Sequence, residues 1–241
     1  MNELDTYLTN SLAQKLSSVN NDDSFLTQWS EWLDALPVLG AAGLLNTYIT
    51  RKLPVTFSEH ESITIELYDS FAGRIPLVIL GTSFIYGKRQ RFLALSRKFY
   101  SNTAPEYLAL TLEDWREKSM LIRREHELTY YYTNTFYGSA SNNLHDELIA
   151  DFMGMYSAFG HYDAKLFRHF MGLDGNDGRL SLYTSGLSPE SRKAVAKIAC
   201  ECSDALEAWQ DLDSFRKMDT TARIDYLYQL GIQGIIRDIP H

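Results

Sequence analysis

His126-Glu127-Leu128-Thr129-Tyr130 sets an imidazole, a carboxylate and a phenol within about one helical turn. Positions i and i+4 of a helix share a face. Two imidazoles at that spacing reach one Zn²⁺, while a glutamate between them activates water. Here the first histidine and the glutamate are in place, and Tyr130 stands where the second histidine would be. Farther along, His145-Asp146-Glu147-Leu148-Ile149-Ala150-Asp151 puts Glu147 and Asp151 at the same i, i+4 spacing, 17 positions after Tyr130 for Glu147. That separation is enough to finish a helix, turn and come back. The residue types suit metal-assisted hydrolysis, and the tyrosine leaves the metal one histidine short.

The elements that must position these residues follow from the hydrophobic pattern. Residues 115–137 read as one long helix, Gly138-Ser139-Ala140-Ser141-Asn142 as its turn, and 143–159 as the returning helix, ended by Gly160. Upstream, residues 3–36 read as helices. Leu8, Leu12 and Leu16, then Phe25, Trp29 and Trp32, recur at helical spacing, with a break at Asn20-Asn21-Asp22-Asp23. Pro37 and Gly40 end that stretch, and a short helix covers 41–51. Residues 63–68 alternate and are β-branched, a strand pattern. Residues 73–80 read as a turn into a buried strand, whose Pro76 points to an edge position or a strand start. The spacing predicts a basic amphipathic helix over 88–100 and a third strand over 107–110. Then come a helix at 162–171, a loop at 172–178, an extended piece at 180–183, and helices at 188–212 and 220–232, the first opened by Pro189 at its N1 position. The fold class is α+β, mostly helical with a small central sheet. One domain is expected over residues 1–241: N-terminal helices (1–55), a small α/β part (60–112), the motif helix pair (113–160) and a helical C-terminal part (161–241).

A chain of 241 residues, 45% hydrophobic, can bury a sizeable core. A net charge of −8 argues against a nucleic-acid partner, which would call for a basic excess. Met1-Asn2-Glu3-Leu4-Asp5 lacks the basic start of a signal peptide. No stretch approaches the roughly 18 continuous apolar residues of a membrane span. A cytoplasmic location without a membrane partner is the expectation. Cys200 and Cys202 are too close to bridge and too few for a thiolate zinc site, so both read as reduced.

Glu147-Leu148-Ile149-Ala150-Asp151 resembles the Glu-x-x-Ala-Asp pattern of gluzincin-type zinc metallopeptidases. In those enzymes a glutamate on a following helix is the third zinc ligand, and an acid four residues later holds a metal-bound histidine by hydrogen bond. The resemblance covers residues 120–155. It implies zinc as the cofactor, His126 and Glu147 as ligands, Glu127 as general base and Asp151 as the group that orients a ligand. Tyr130 would occupy the remaining ligand position, which requires the metal to acidify a phenol of ordinary pKa near 10. Glu125, about 100° round the helix from His126, is a further supporting carboxylate. A wider set of segments is similar to blocks of an uncharacterised bacterial family. These are Ala72-Gly73-Arg74-Ile75-Pro76, Arg124-Glu125-His126-Glu127-Leu128-Thr129-Tyr130-Tyr131, Asn142-Asn143-Leu144-His145-Asp146-Glu147-Leu148-Ile149-Ala150-Asp151-Phe152, and Gly178-Arg179-Leu180-Ser181-Leu182-Tyr183. Members of that family carry Arg-Glu-His-Glu-x-Thr-His-Tyr, so the resemblance implies no reaction but marks Tyr130 as a departure.

Plainer readings stand beside these. His126 could be a buried histidine paired with Glu147 or Asp151. Glu125 and Glu127 could be helix-surface charges paired with Arg123 or Arg124. Glu147 and Asp151, set among Leu144, Leu148, Ile149 and Phe152, are expected to be buried with partners. Of Tyr130, Tyr131 and Tyr132, at least one belongs to the core and one to a cleft. For a further ligand, His145 faces nearly away from Glu147, and His161 follows Gly160 and could fold back. Lys88, Arg89, Arg91, Arg97 and Lys98 read as a solvated basic face. Gly81-Thr82-Ser83-Phe84-Ile85 lacks the last glycine of a nucleophile elbow. Asp174-Gly175-Asn176-Asp177-Gly178 lacks the closing glutamate of a calcium loop. No Glu-x-x-His pair supports a di-metal bundle. Three functions remain open: a metal-dependent hydrolase with an altered site, acting on peptides by analogy; a non-catalytic binding protein on the same scaffold; and, from the His145-Asp146 doublet, an HD-type metal phosphohydrolase.

Overall fold

A computed structural model describes residues 2–9, 16, 23–49, 56–58, 62–81, 92–138, 143–175 and 178–239. Helices α1 (Glu3–Thr9), α2 (Ser24–Asp34) and α3 (Leu36–Leu44) precede strands β1 (Thr64–Ser70), β2 (Gly73–Leu80) and β3 (Leu93–Ser96). After the strands come α4 (Leu112–Tyr137), α5 (Asn143–Phe159), α6 (Ala164–Met171), α7 (Leu180–Tyr183), α8 (Pro189–Trp209), α9 (Asp213–Arg216) and α10 (Thr220–Asp238). The fold is α+β, mostly helical with a small three-stranded mixed sheet. No helix among the described residues is long and apolar enough to cross a membrane.

The helix starts follow side-chain chemistry. Thr111, Asp163, Ser188 and Asp219 each accept a hydrogen bond from a backbone N–H in the first turn of α4, α6, α8 and α10. This satisfies donors that the helix itself leaves open. Glu113 and Asp114 add negative charge to the first turn of α4, where the helix dipole favours it.

In the sheet, β1 pairs antiparallel with β2, and β2 parallel with β3. Alternation divides the side chains between two cores. Ile75, Leu77, Leu93 and Leu95 pack with Leu128 of α4. Ile65, Val78, Leu80 and Ala94 pack with Trp29, Leu44, Leu45 and Ile49 from the N-terminal helices. The largest core joins α4, α5, α6, α8 and α10 through Trp115, Ile122, Phe152, Phe167, Trp209 and Leu227.

Several expectations need correction. The basic helix expected over 88–100 is absent from its described part, which holds strand β3 and, at Tyr100, the start of a 3-10 turn. All four β3 residues are buried, so no polar face breaks the run, and periodicity cannot separate such a strand from a helix. Residues 88–91 and Leu12 lie outside the described residues, as do Asn176 and Asp177 of the calcium-like loop. The third strand expected at 107–110 is a 3-10 turn (Pro105–Leu108) ended by Ala109 in the left-handed region. The extended piece at 180–183 is the short helix α7. Pro76 sits in the central strand rather than at an edge. Pairing with β3 begins only at Leu77, so no β3 partner stands opposite the proline, which has no N–H to offer. Pro37 opens α3 instead of ending α2, while Gly40 interrupts the helix as expected, and a π-helical turn follows at Leu45–Ile49.

Helices α4 and α5 carry the motif residues, and a glycine sets their separation. A Cβ on Gly154 would lie 2.7 Å from the Ile122 carbonyl oxygen, so α5 meets the backbone of α4 without an intervening side chain. Cys200 and Cys202 on α8 are free thiols, half-buried and buried respectively.

Candidate metal centre

His126 and Tyr130 project from one face of α4, and Glu147 and Asp151 from the facing side of α5. Tyr100 joins them from a 3-10 turn (Tyr100–Asn102) that follows β3, and Arg179 joins them from the residue before α7. A Cβ on Gly178 would overlap the Gly172 backbone nitrogen, so only glycine lets the chain cross the end of α6 and deliver Arg179.

The Nδ1–H of His126 donates to Asp151 Oδ1 at 2.9 Å. The Tyr100 hydroxyl donates to the same oxygen at 2.5 Å, and its own oxygen lies 2.8 Å from Nδ1. The other ring nitrogen, Nε2, faces Glu147 Oε2 across 3.7 Å. Tyr130 donates its phenolic hydrogen to that same Oε2 at 2.8 Å. Arg179 spans the two carboxylates, with Nη1 on Glu147 Oε1 and Nη2 on Asp151 Oδ2. Nη1 also reaches the Tyr100 oxygen at 3.2 Å. His126, Glu147 and Asp151 are all buried, and each offers one ligand atom within 4.8 Å of the others. Among the described residues this group could hold a metal ion.

The electrostatics are closely balanced. Burial pushes the Asp151 carboxyl up, but Arg179 and the hydrogen bonds from His126 and Tyr100 outweigh it and hold the group below its ordinary value. Burial pushes His126 down, but the charges of Glu147 and Asp151 win, so the imidazole holds its second proton more firmly than usual. Burial pushes the phenols of Tyr100 and Tyr130 well above their ordinary value, and the carboxylates beside them act in the same direction. Tyr183, hydrogen-bonded to Glu147, is raised for the same reasons. Tyr130 here donates its hydroxyl hydrogen to Glu147.

The structure thus brings together His126, Tyr130, Glu147 and Asp151. Glu127, next to His126 on α4, is half-buried, and its charge acts on both Arg123 and His126. Glu125 pairs with Arg124 Nε at 3.0 Å beside Tyr68, and none of its described contacts is with the cluster. Tyr132 packs into the core and donates to Asp225, while Tyr130 turns to the centre. The His145 Nε2–H donates to the Leu227 carbonyl at 3.1 Å, and burial pushes this imidazole down to about 4. That bond ties His145 to α10, and the group that could hold an ion among the described residues is His126, Glu147 and Asp151. His161 is exposed, and its Nδ1–H donates to the Phe159 carbonyl at 3.2 Å.

Sequence reasoning did not assign roles to Tyr100, Arg179 or Tyr183. Two buried carboxylates facing one imidazole need a further cation, and Arg179 lay within a segment already noted for its resemblance. A cavity of about 660 Å³ opens between α4 and the sheet, lined by Leu77, Leu95, Arg97, Arg116, Met120 and Arg124, but none of the cluster residues lines it. In the cluster the Arg179 side chain is 22% exposed and Tyr130 is half-buried.

No curated protein and no solved structure matches the chain. A family model, described as a family of unknown function (DUF7005), matches residues 85–236, a span that holds Tyr100, both motif helices and Arg179. The chain belongs to this family of unknown function.

Proposed function

We propose that the protein is a metal-dependent hydrolase of gluzincin-like design with an altered metal centre. The observation that carries the proposal is the orientation of His126. Asp151 takes the Nδ1 hydrogen, so in the neutral imidazole the Nε2 lone pair faces Glu147 Oε2 across 3.7 Å. Two ligands at about 2.0–2.1 Å from one ion lie at most about 4 Å apart, so this nitrogen and this oxygen fit a single zinc-sized ion. Zinc held there would supply Lewis-acid polarisation of a scissile carbonyl.

The chain's own groups then have distinct tasks. Asp151 and Tyr100 fix the tautomer and direction of the imidazole. Glu147 would hold the ion together with His126. Glu127 takes the proton of the attacking water and returns it to the leaving group. Before an ion binds, Tyr130 holds Glu147 through its phenol. A peptide is the substrate class that the gluzincin resemblance favours.

A second reading is favoured by Arg179. A guanidinium on two carboxylates balances their charge without any metal, which suits a non-catalytic binding protein on the same scaffold. Titration of metal-stripped protein with zinc, read by competition with a chromophoric chelator, separates the two. Saturable binding of one ion that disappears in His126→Ala supports the hydrolase reading. No saturable binding by the parent, by Arg179→Gln or by Tyr130→His removes it.

A further inference from the structure

We infer that Arg179 is a built-in counter-cation that competes with the metal ion for the Glu147–Asp151 carboxylate pair, so that loading the centre requires the guanidinium to give way. The inference rests on the metal-centre reading above and adds a control element to it.

Arg179 holds the carboxylates at the points where a divalent ion would draw its affinity. One nitrogen sits on Glu147 and another on Asp151, so a single planar group bridges α5 residues one turn apart. An ion on Glu147 Oε2 would share that carboxylate with a positive charge already on Oε1. Like charges so close, away from bulk water, repel strongly.

The guanidinium is also incompletely satisfied where it lies. Its Nε–H is buried and has no hydrogen-bond partner among the described residues. A buried donor without an acceptor is costly, which lowers the barrier to moving the group away. A way out exists, because the side chain remains 22% exposed while Glu147 and Asp151 are 1% and 0% exposed.

The elements differ in the same sense. His126, Tyr130, Glu147 and Asp151 sit on helices of 26 and 17 residues locked together at Gly154. Arg179 precedes a helix of only 4 residues. Of the charged groups in the cluster, it is the one whose carrier is short and whose side chain reaches solvent.

The test compares zinc affinity in the full chain for the parent, Arg179→Gln and Arg179→Lys, with Zn²⁺ alone as ligand and with Co²⁺ absorption as a second report on ligand number. Removing the charge should tighten zinc binding at least about tenfold. Lysine keeps the charge but cannot span both carboxylates, so its affinity should fall between the two. Thermal unfolding gives a readout independent of chemistry. Metal-free Arg179→Gln should melt below the parent, and excess zinc should raise its midpoint by more than it raises the parent's.

If the parent binds zinc through His126 and Arg179→Gln binds no tighter, Arg179 is not a competitor and the metal-centre reading survives. If the parent, Arg179→Gln and Tyr130→His all fail to bind, the metal-centre reading falls and this inference falls with it. Should Arg179→Gln fail to fold, the lysine variant decides: tighter binding than the parent supports competition, and equal or weaker binding overturns it.

Discussion

Replacing Tyr130 with histidine should convert a weak metal centre into a strong one. In the parent, Tyr130 works against metal binding in two ways. Its hydroxyl donates to Glu147 Oε2, the oxygen nearest His126 Nε2. An ion using that oxygen must displace a hydrogen bond to a charged group, worth about 1.5–3 kcal/mol. Tyr130 could itself become a ligand only as phenolate. At its ordinary value of about 10, ionisation at pH 7 costs about 4 kcal/mol, and burial and Glu147 push the group well above that value. Tyr130→His removes the competing donor and supplies a neutral nitrogen one helical turn from His126. At least a hundredfold tighter zinc binding, about 2.8 kcal/mol, is expected after losses from the smaller ring. Chelator competition at pH 7.5 measures it directly, and Co²⁺ spectra should gain the intensity of a four-coordinate site. An affinity within threefold of the parent's would mean that position 130 does not face the metal, and the reasoning from helix spacing would be wrong.

Gly154→Ala should force α4 and α5 apart, because the new Cβ meets the Ile122 carbonyl oxygen at 2.7 Å and a backbone atom cannot rotate aside. A loss of about 1–3 kcal/mol in urea unfolding is expected, with weaker zinc binding because the ligands face each other across that contact; an unchanged midpoint would contradict this close approach. Stability should also fall as the pH drops from about 6.5 to about 4 through His145, whose folded-state pKa is depressed to about 4 by burial. A depressed histidine contributes stability that is present above its unfolded value and lost as pH falls, here about 3 kcal/mol at most. His126, shifted upward, has the opposite sign: its contribution is present at low pH and lost as pH rises through its folded value. The fall in urea midpoint from pH 7.5 to 4.5 should therefore be larger in the parent than in His145→Gln, which keeps the opposite-signed contribution of His126; an equal change in both proteins would assign the effect elsewhere.

The parts of the centre that could be read in the sequence are those carried by helical periodicity. His126 and Tyr130 share a face because they are four residues apart, and Glu147 and Asp151 for the same reason, so two helices and one turn sufficed to bring the four together. Burial of the two carboxylates followed from the apolar residues around them. Tyr100 and Arg179 come from a 3-10 turn and from the end of a loop, where no period relates a side chain to its direction. Charge implied only the cation, since a lone imidazole cannot balance two buried carboxylates. The same contrast runs through the fold. Strands β1 and β2 show alternation or β-branching, whereas Leu93-Ala94-Leu95-Ser96 is buried on both faces and its residue types suit a helix equally well. Pro76 gave a false edge signal because proline constrains only its own N–H, and the facing strand starts one residue later.

The central claim is that one ion is shared by His126 and Glu147 while Asp151 holds the imidazole from behind. A crystal of the metal-stripped protein soaked in zinc, with anomalous data on both sides of the zinc edge, tests it most directly. The account predicts a peak within about 2.2 Å of both His126 Nε2 and a Glu147 oxygen, with Arg179 drawn away from the carboxylates. No peak there, with the guanidinium still bridging Glu147 and Asp151, would contradict it.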